Sequence, residues 1–281
     1  MSTWKNILTN ANSNYSASKI NSITFSKTIP AGFSLSQGIS VAAQSNEGTK
    51  LRVKNDANSA RVLAFVSPAS TSGLYDVTFF SNATIYTPAY SDFLFAKLTT
   101  VVNFNFDNLS FKYATSVKGS TMESMFNQCE KLENISLTIE ASIYERYLVG
   151  LFSGCSALKN VEINLIGGKS YPINFDKTFD YCSQITSFSI KDLDGTSYTA
   201  AAGLSAVSNI SKVLTYLDLS GVWTTNLPSF TNVQTIVVPA HLESSFGSIP
   251  LGAEFICEEN RNTYTQIDYT TNGLTLKRKT T

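Results

Sequence analysis

One register recurs along the middle of this chain. A phenylalanine, a cysteine three residues on and three further apolar positions run through Phe126, Cys129, Leu132, Ile135 and Leu137. They return at Phe152, Cys155, Leu158, Val161 and Ile163, and again at Phe179, Cys182, Ile185, Phe188 and Ile190. The step is about 26 to 27 residues, within the range of repeat architectures. One such unit cannot bury its apolar side alone, so neighbours must stack and share a core. A chain of this kind presents surface, which favours binding or scaffolding over chemistry.

Weaker copies flank the three strong ones. Upstream, Phe95, Leu98, Val101, Phe104 and Phe106 fit with leucine in the cysteine slot. Downstream, Leu214, Leu217 and Leu219 fit with Ser208 and Ser211 in the phenylalanine and cysteine slots, and Leu227, Phe230, Val233, Ile236 and Val238 follow after a shorter step. About six turns result, enough for a domain. Ile135, Leu137 and Ile139, like Val161, Ile163 and Leu165, alternate with period two and read as one short strand per repeat. Strands of successive repeats are then expected to pair in parallel. Tyr144, Tyr147, Leu148, Leu151 and Phe152 follow a helical spacing, which predicts an outer amphipathic helix before the second strand.

The stretch Met125-Phe126-Asn127-Gln128-Cys129-Glu130-Lys131-Leu132-Glu133-Asn134-Ile135-Ser136-Leu137 resembles the BspA-type leucine-rich repeats, related to the Treponema kind, and Leu151 to Ile163 matches nearly as well. The resemblance covers roughly residues 90 to 258. It implies a surface-exposed solenoid that adheres to protein or glycan partners, and it brings no catalytic residues. The chain departs from the family in having few, irregular repeats.

Composition excludes several classes. The 281 residues hold 21 Lys plus Arg and 21 Asp plus Glu, with 43% hydrophobic and 15% charged residues. Balanced charge leaves no footprint for nucleic acid or an anionic membrane, and no apolar run approaches the ~18 residues of a spanning helix. The opening Met1-Ser2-Thr3-Trp4-Lys5-Asn6-Ile7-Leu8 shows no secretory signal pattern. Cys129, Cys155 and Cys182 share one slot and belong to no Cys-x-x-Cys or Cys/His cluster, and Cys257 alternates with Phe255. All four read as small buried packing residues.

Catalytic motifs are absent from the sequence. Gly167-Gly168-Lys169-Ser170 mimics the end of a phosphate loop, but the motif's first glycine is replaced by Ile163 on a strand, so a turn is the better account. His241 is the only histidine, and no Gly-x-Ser-x-Gly elbow accompanies it. Sequons at Asn82, Asn108, Asn134 and Asn209 are expected by chance in a chain rich in Asn, Ser and Thr, and glycosylation is discounted.

The ends lack the repeat. Short alternating stretches from Ile23 to Phe80, separated by Gly, Pro, Asn and Ser, predict an all-β N-terminal region over residues 1–88 that caps the repeats or docks the protein. At the far end, Ile267 and Tyr269, then Asn272-Gly273, then Leu274 and Leu276 predict a hairpin cap, followed by a solvated Lys277-Arg278-Lys279 tail. Met1 to Thr9 also resembles the openings of structural proteins of tailed bacteriophages, which implies a virion protein.

The sequence thus predicts an α/β, mostly β solenoid. It comprises a leucine-rich-repeat stack of about six irregular turns with parallel strands over 89–258, the N-terminal β region over 1–88, and a C-terminal hairpin and tail over 259–281. The outward slots of the concave sheet, Asn105, Ser136, Glu162, Ser189, Asp218 and Val237, are the candidate partner-binding residues. No cofactor, metal or catalytic residue is expected, and neither is nucleic-acid binding or membrane insertion. The expected partners are other virion proteins or a host-surface protein or glycan, with copies of the chain able to associate in an assembly. The expected location is the virion or, alternatively, the bacterial cell surface, where the chain would act as a BspA-like adhesin.

Overall fold

The structure, a computed structural model, describes residues 15–41, 52–53, 62–88, 90–112, 121–140, 146–166, 173–193, 199–202, 204–223, 230, 232–239, 242, 244 and 247–279. It is mostly β, with parallel and mixed sheets, and its helical elements include 3-10 segments such as Leu204–Ile210. Two large sheets carry the fold. The first has β1 (Ile20–Ser26), β2 (Ile39–Ser40), β3 (Leu63–Pro68), β4 (Tyr75–Phe80) and β5 (Asn103–Asn105), in the order β2-β3-β4-β1-β5. The second has β6 (Asn134–Glu140), β7 (Asn160–Ile166), β8 (Ser187–Asp192), β9 (Tyr216–Asp218), β10 (Thr235–Val237), β11 (Ile249–Cys257), β12 (Thr263–Ile267) and β13 (Thr275–Arg278). Its order is β12-β11-β13-β10-β9-β8-β7-β6.

Strands β6 to β10 are parallel, and their register sets Ile135 beside Val161, Phe188, Leu217 and Ile236. All five are buried, because period-two alternation puts every second side chain on one face. Behind them Phe126 stacks on Phe152 at 5.7 Å between ring centroids, and Phe152 on Phe179 at 6.2 Å. Buried apolar residues form one contiguous cluster from Ile20 to Leu276.

The outer helix predicted over Tyr144–Phe152 does not form. Arg146–Tyr147 is a short strand, paired in parallel with Ile173–Asn174, and residues 149–154 are turns; Tyr144 lies outside the described residues. In these turns, backbone amides point sideways. Phe126 N–H donates to the Leu151 carbonyl, Gln128 to Ser153, Phe152 to Thr178 and Gly154 to Asp180, all at 2.8–3.2 Å. A helix would spend those amides within itself. The geometry needs left-handed backbone two residues before and two after the phenylalanine: Phe93 and Lys97 around Phe95, Ser124 and Gln128 around Phe126, Gly150 and Gly154 around Phe152, Lys177 and Tyr181 around Phe179. Gly150 and Gly154 adopt it without the steric cost other residues bear.

Two further expectations are corrected. In the first copy downstream of the three strong ones Val207 and Ile210 are buried, whereas Ser208 is exposed and Ser211 half-buried. The 3-10 segment Leu204–Ile210 shifts the frame by one residue before Leu214. The C-terminal hairpin across Asn272-Gly273 does not close. β12 and β13 each pair antiparallel with β11 and not with one another, and a 3-10 turn at Tyr269–Thr271 carries the chain across. The basic tail keeps Lys277 and Lys279 exposed, as expected of a solvated tail, while Thr275–Arg278 is strand. Lys277 pairs with Glu258, Lys279 with Glu254, and the Arg278 guanidinium lies 5.1 Å over the Phe255 ring. His241, Gly167 to Ser170, Leu227 and Met1 to Thr9 lie outside the described residues.

Candidate binding face

Opposite the core face, β6 to β10 display Ser136, Glu162, Ser189, Asp218 and Val237 as one cross-strand row. Asn105 stands apart from it. Its strand β5 pairs with β1, setting Thr24 beside Asn105, and among the described residues no ladder joins β5 to β6. On the opposite side the two copies remain bonded, Phe95 N–H to the Met125 carbonyl and Lys97 N–H to Asn127, each at 2.8 Å. The copies are tied at the turns and parted at the strands.

Aromatic rings fill the wedge. Phe104 lies 5.2 Å from Phe95, 5.3 Å from Phe126 and 5.4 Å from Phe106, and Phe104 and Phe106 keep part of their surface exposed. Above them opens a cleft of about 940 Å³. Asn105, Ser136, Glu162 and Ser189 line it, while Asp218 and Val237 do not. Reading the sequence had passed over Asn103, Asn134, Asn160, Lys191 and Tyr216, which also line it. Period two would have found the strand residues among them, since each sits two positions from a named outward slot.

A polar network holds one wall. The Asn164 side-chain amide donates to Glu162 Oε1 at 2.7 Å, Ser136 Oγ donates to the same oxygen at 3.4 Å, and Lys191 Nζ reaches Oε2 at 3.4 Å. The Asn164 hydrogen bond, with Lys191 beside it, holds the Glu162 carboxyl below its usual range. Tyr216 donates its hydroxyl to Asp218 Oδ2 at 3.3 Å, and burial together with that carboxylate raises the phenol. On the far wall the Asn105 amide donates to Asp107 Oδ2 at 3.0 Å. Ser189 differs from all of these. It is 4% exposed, and its hydroxyl has no hydrogen-bond partner.

The cysteines face the core, away from the cleft. The thiols of Cys129, Cys155 and Cys182 donate to the carbonyls of Phe95, Phe126 and Phe152, each in the preceding copy, at 3.0–3.2 Å. All are free and buried. Burial pushes the Cys182 thiol up to about 12, and the Cys129 sulfur together with burial raises that of Cys155. Such thiols are poor nucleophiles. Among the described residues no group of three or more His, Cys, Asp or Glu side chains is placed to hold a metal, and no helix is long and apolar enough to cross a membrane. No protein-family model, curated protein or solved structure matches the chain.

Proposed function

We propose that this chain is a non-enzymatic binding protein, a leucine-rich-repeat solenoid of the BspA-like kind with an N-terminal β region and a C-terminal cap, that serves as a bacteriophage virion component. In a fibre, decoration or tail-associated role it attaches to a neighbouring virion subunit or to the host surface. The observation that carries the binding reading is the cleft between β5 and β6. It is a large concavity on the polar face of parallel strands, lined by amides, hydroxyls and part-exposed rings. A concavity in which polar groups converge beside part-exposed rings is the default place for a ligand. The five equivalent core residues set side by side on β6 to β10 support the repeat reading.

The virion role is supported by the likeness of Met1 to Thr9 to tailed-phage structural proteins. A bacterial cell-surface adhesin is the second reading, favoured by the Met125 to Leu137 register. Mass spectrometry of gradient-purified particles from the source is expected to recover the chain at a fixed copy ratio to the capsid protein. Recovery only in the host cell envelope overturns the virion role in favour of the adhesin, and recovery in neither place overturns both.

A further inference from the structure

Resting on that reading of the polar face as a binding surface, we infer that the cleft between β5 and β6 takes a neutral oligosaccharide, with the Ser189 hydroxyl among its contacts. Ser189 sits between Glu162 and Asp218 in the cross-strand row and lines the cleft. Its neighbours Phe188 and Ile190 face the core, so its own side chain faces the cleft. A buried hydroxyl without a partner is rare and unfavourable, and a ligand hydroxyl that supplies the missing hydrogen bond is bound more tightly for it.

Charge narrows the ligand class. Lys191, the cation of the cleft wall, is paired with Glu162. The lysines next to the lining residues are also paired, Lys112 with Glu140 and Lys159 with Glu133. Asp107 adds a negative charge on the other wall. Among the described residues each cation at or next to the lining is matched, so a phosphate, sulfate or uronate would meet no free positive charge from them. Asn103, Asn134, Asn160, Thr138 and Ser187 also line it; the Asn160 amide donates to Asn134 Oδ1, and each amide keeps further donor and acceptor capacity. Sugar hydroxyls are donors and acceptors at once and match such a surface. Adjacent strands stand about 4.8 Å apart, close to the length of one pyranose. Phe104, Phe106 and Tyr216 supply ring surface against which the C–H face of a pyranose packs. Strand addition by a peptide takes its specificity from pockets for alternate side chains, and these amide and hydroxyl walls have none.

The test uses the full chain on a printed array of neutral and anionic oligosaccharides, with each hit titrated by calorimetry. At least one neutral oligosaccharide should bind and be competed by the same free sugar. Ser136 is exposed, so Ser136→Trp should plug the cleft and abolish binding. Ser189→Ala should weaken binding at least fivefold while leaving the melting temperature unchanged or higher, which a merely structural serine would not do. Thr263→Ala, on the distant edge strand β12, should bind like the wild type. No hit on the array, a preference for acidic sugars, or binding unmoved by Ser136→Trp in a folded protein each overturns the inference. Attachment to host cells or particles is measured in parallel. Attachment that survives periodate oxidation of the surface but not protease overturns the sugar ligand and leaves the binding-protein reading standing.

Discussion

Truncating Phe152 to alanine should destabilise the protein by about 4–5 kcal/mol, the upper part of the range for a buried phenylalanine. The ring is fully buried and stacked on both sides, by Phe126 and by Phe179. Its backbone cannot move to fill the space. The Phe152 amide is bonded to the Thr178 carbonyl, the Phe152 carbonyl accepts from the Cys182 thiol, and the next amide along, Ser153, is closed onto Gly150. A site that cannot collapse retains its cavity, and cost rises with cavity volume. Each ring contact is worth about 0.5–1.5 kcal/mol beyond area burial, so Phe126→Ala combined with Phe152→Ala should fall short of the sum of the single changes by about that amount. Phe255 on β11 lies five strand positions from β7, about 24 Å at ~4.8 Å per strand. Phe152→Ala with Phe255→Ala should therefore add within about 0.5 kcal/mol. Urea unfolding followed by circular dichroism, with the slope monitored for each variant, measures all of these. A single-variant loss under about 1 kcal/mol, or equal coupling in the near and far pairs, would refute the stacked core.

A thiol reagent at pH 8 should label Cys129, Cys155 and Cys182 slowly in the folded protein and quickly after unfolding, with no reductant added. All are free and buried, and with the Cys182 thiol at about 12 and that of Cys155 also raised, little thiolate is present. Rapid native labelling, or a need for prior reduction, would contradict this. Gly221→Ala should cost at least about 3 kcal/mol in the same melts, since a Cβ there would stand 2.3 Å from the Lys191 carbonyl carbon and 2.4 Å from the Asp192 nitrogen, both backbone atoms; a silent substitution would remove that close approach. In acid, the Cys257 thiol donates to the Glu259 carboxyl at 3.0 Å and holds it down to about 2 against an ordinary 4.5. A depressed folded value means stability present above 4.5 and lost as pH falls toward 2. Glu259→Gln should flatten that decline, and an equal slope in both proteins would show the carboxyl contributes nothing.

The core was legible in the sequence wherever side-chain volume repeated. Phe126, Cys129 and Leu132 recur at fixed offsets because each must fill the same space beside its equivalent, and all three are fully buried. The turns were illegible because their rule concerns backbone sign. Left-handed residues two before and two after the phenylalanine are Phe and Lys in one copy, Ser and Gln in the next, and glycine only around Phe152. That glycine pair at 150 and 154 was the visible signal against a helix there. The C-terminal hairpin failed for a different reason. Asn272-Gly273 is a genuine turn, with Gly273 in left-handed backbone and its amide bonded to the Pro239 carbonyl. It reverses the chain toward β11 and β10 rather than back along β12, and a local turn signal carries no information about which strand waits beyond it.

The cleft has its origin in a mismatch between two bonding systems that no single repeat encodes. The turn ladder runs without interruption from Phe95 through Phe126 to Phe152, whereas among the described residues the strand ladder stops at β6, and β5 belongs instead to the sheet of β1, some eighty residues earlier in the chain. Asn108 helps fix that choice. Its side-chain amide donates to the carbonyls of Ser26, Ser81 and Ala83 and so binds the end of β1 and the segment after β4 to the loop behind β5. A residue that read as a chance sequon is thus a buried tie, 2% exposed. The strands beyond it cannot close, Phe104 and Phe106 occupy the wedge, and polar side chains that would otherwise sit on a continuous sheet are left facing one another across open space. Long-range pairing of this kind is set by the most distant partner rather than by the repeat, which is why the outward slots could be named one by one from the sequence while the cleft four of them line could not.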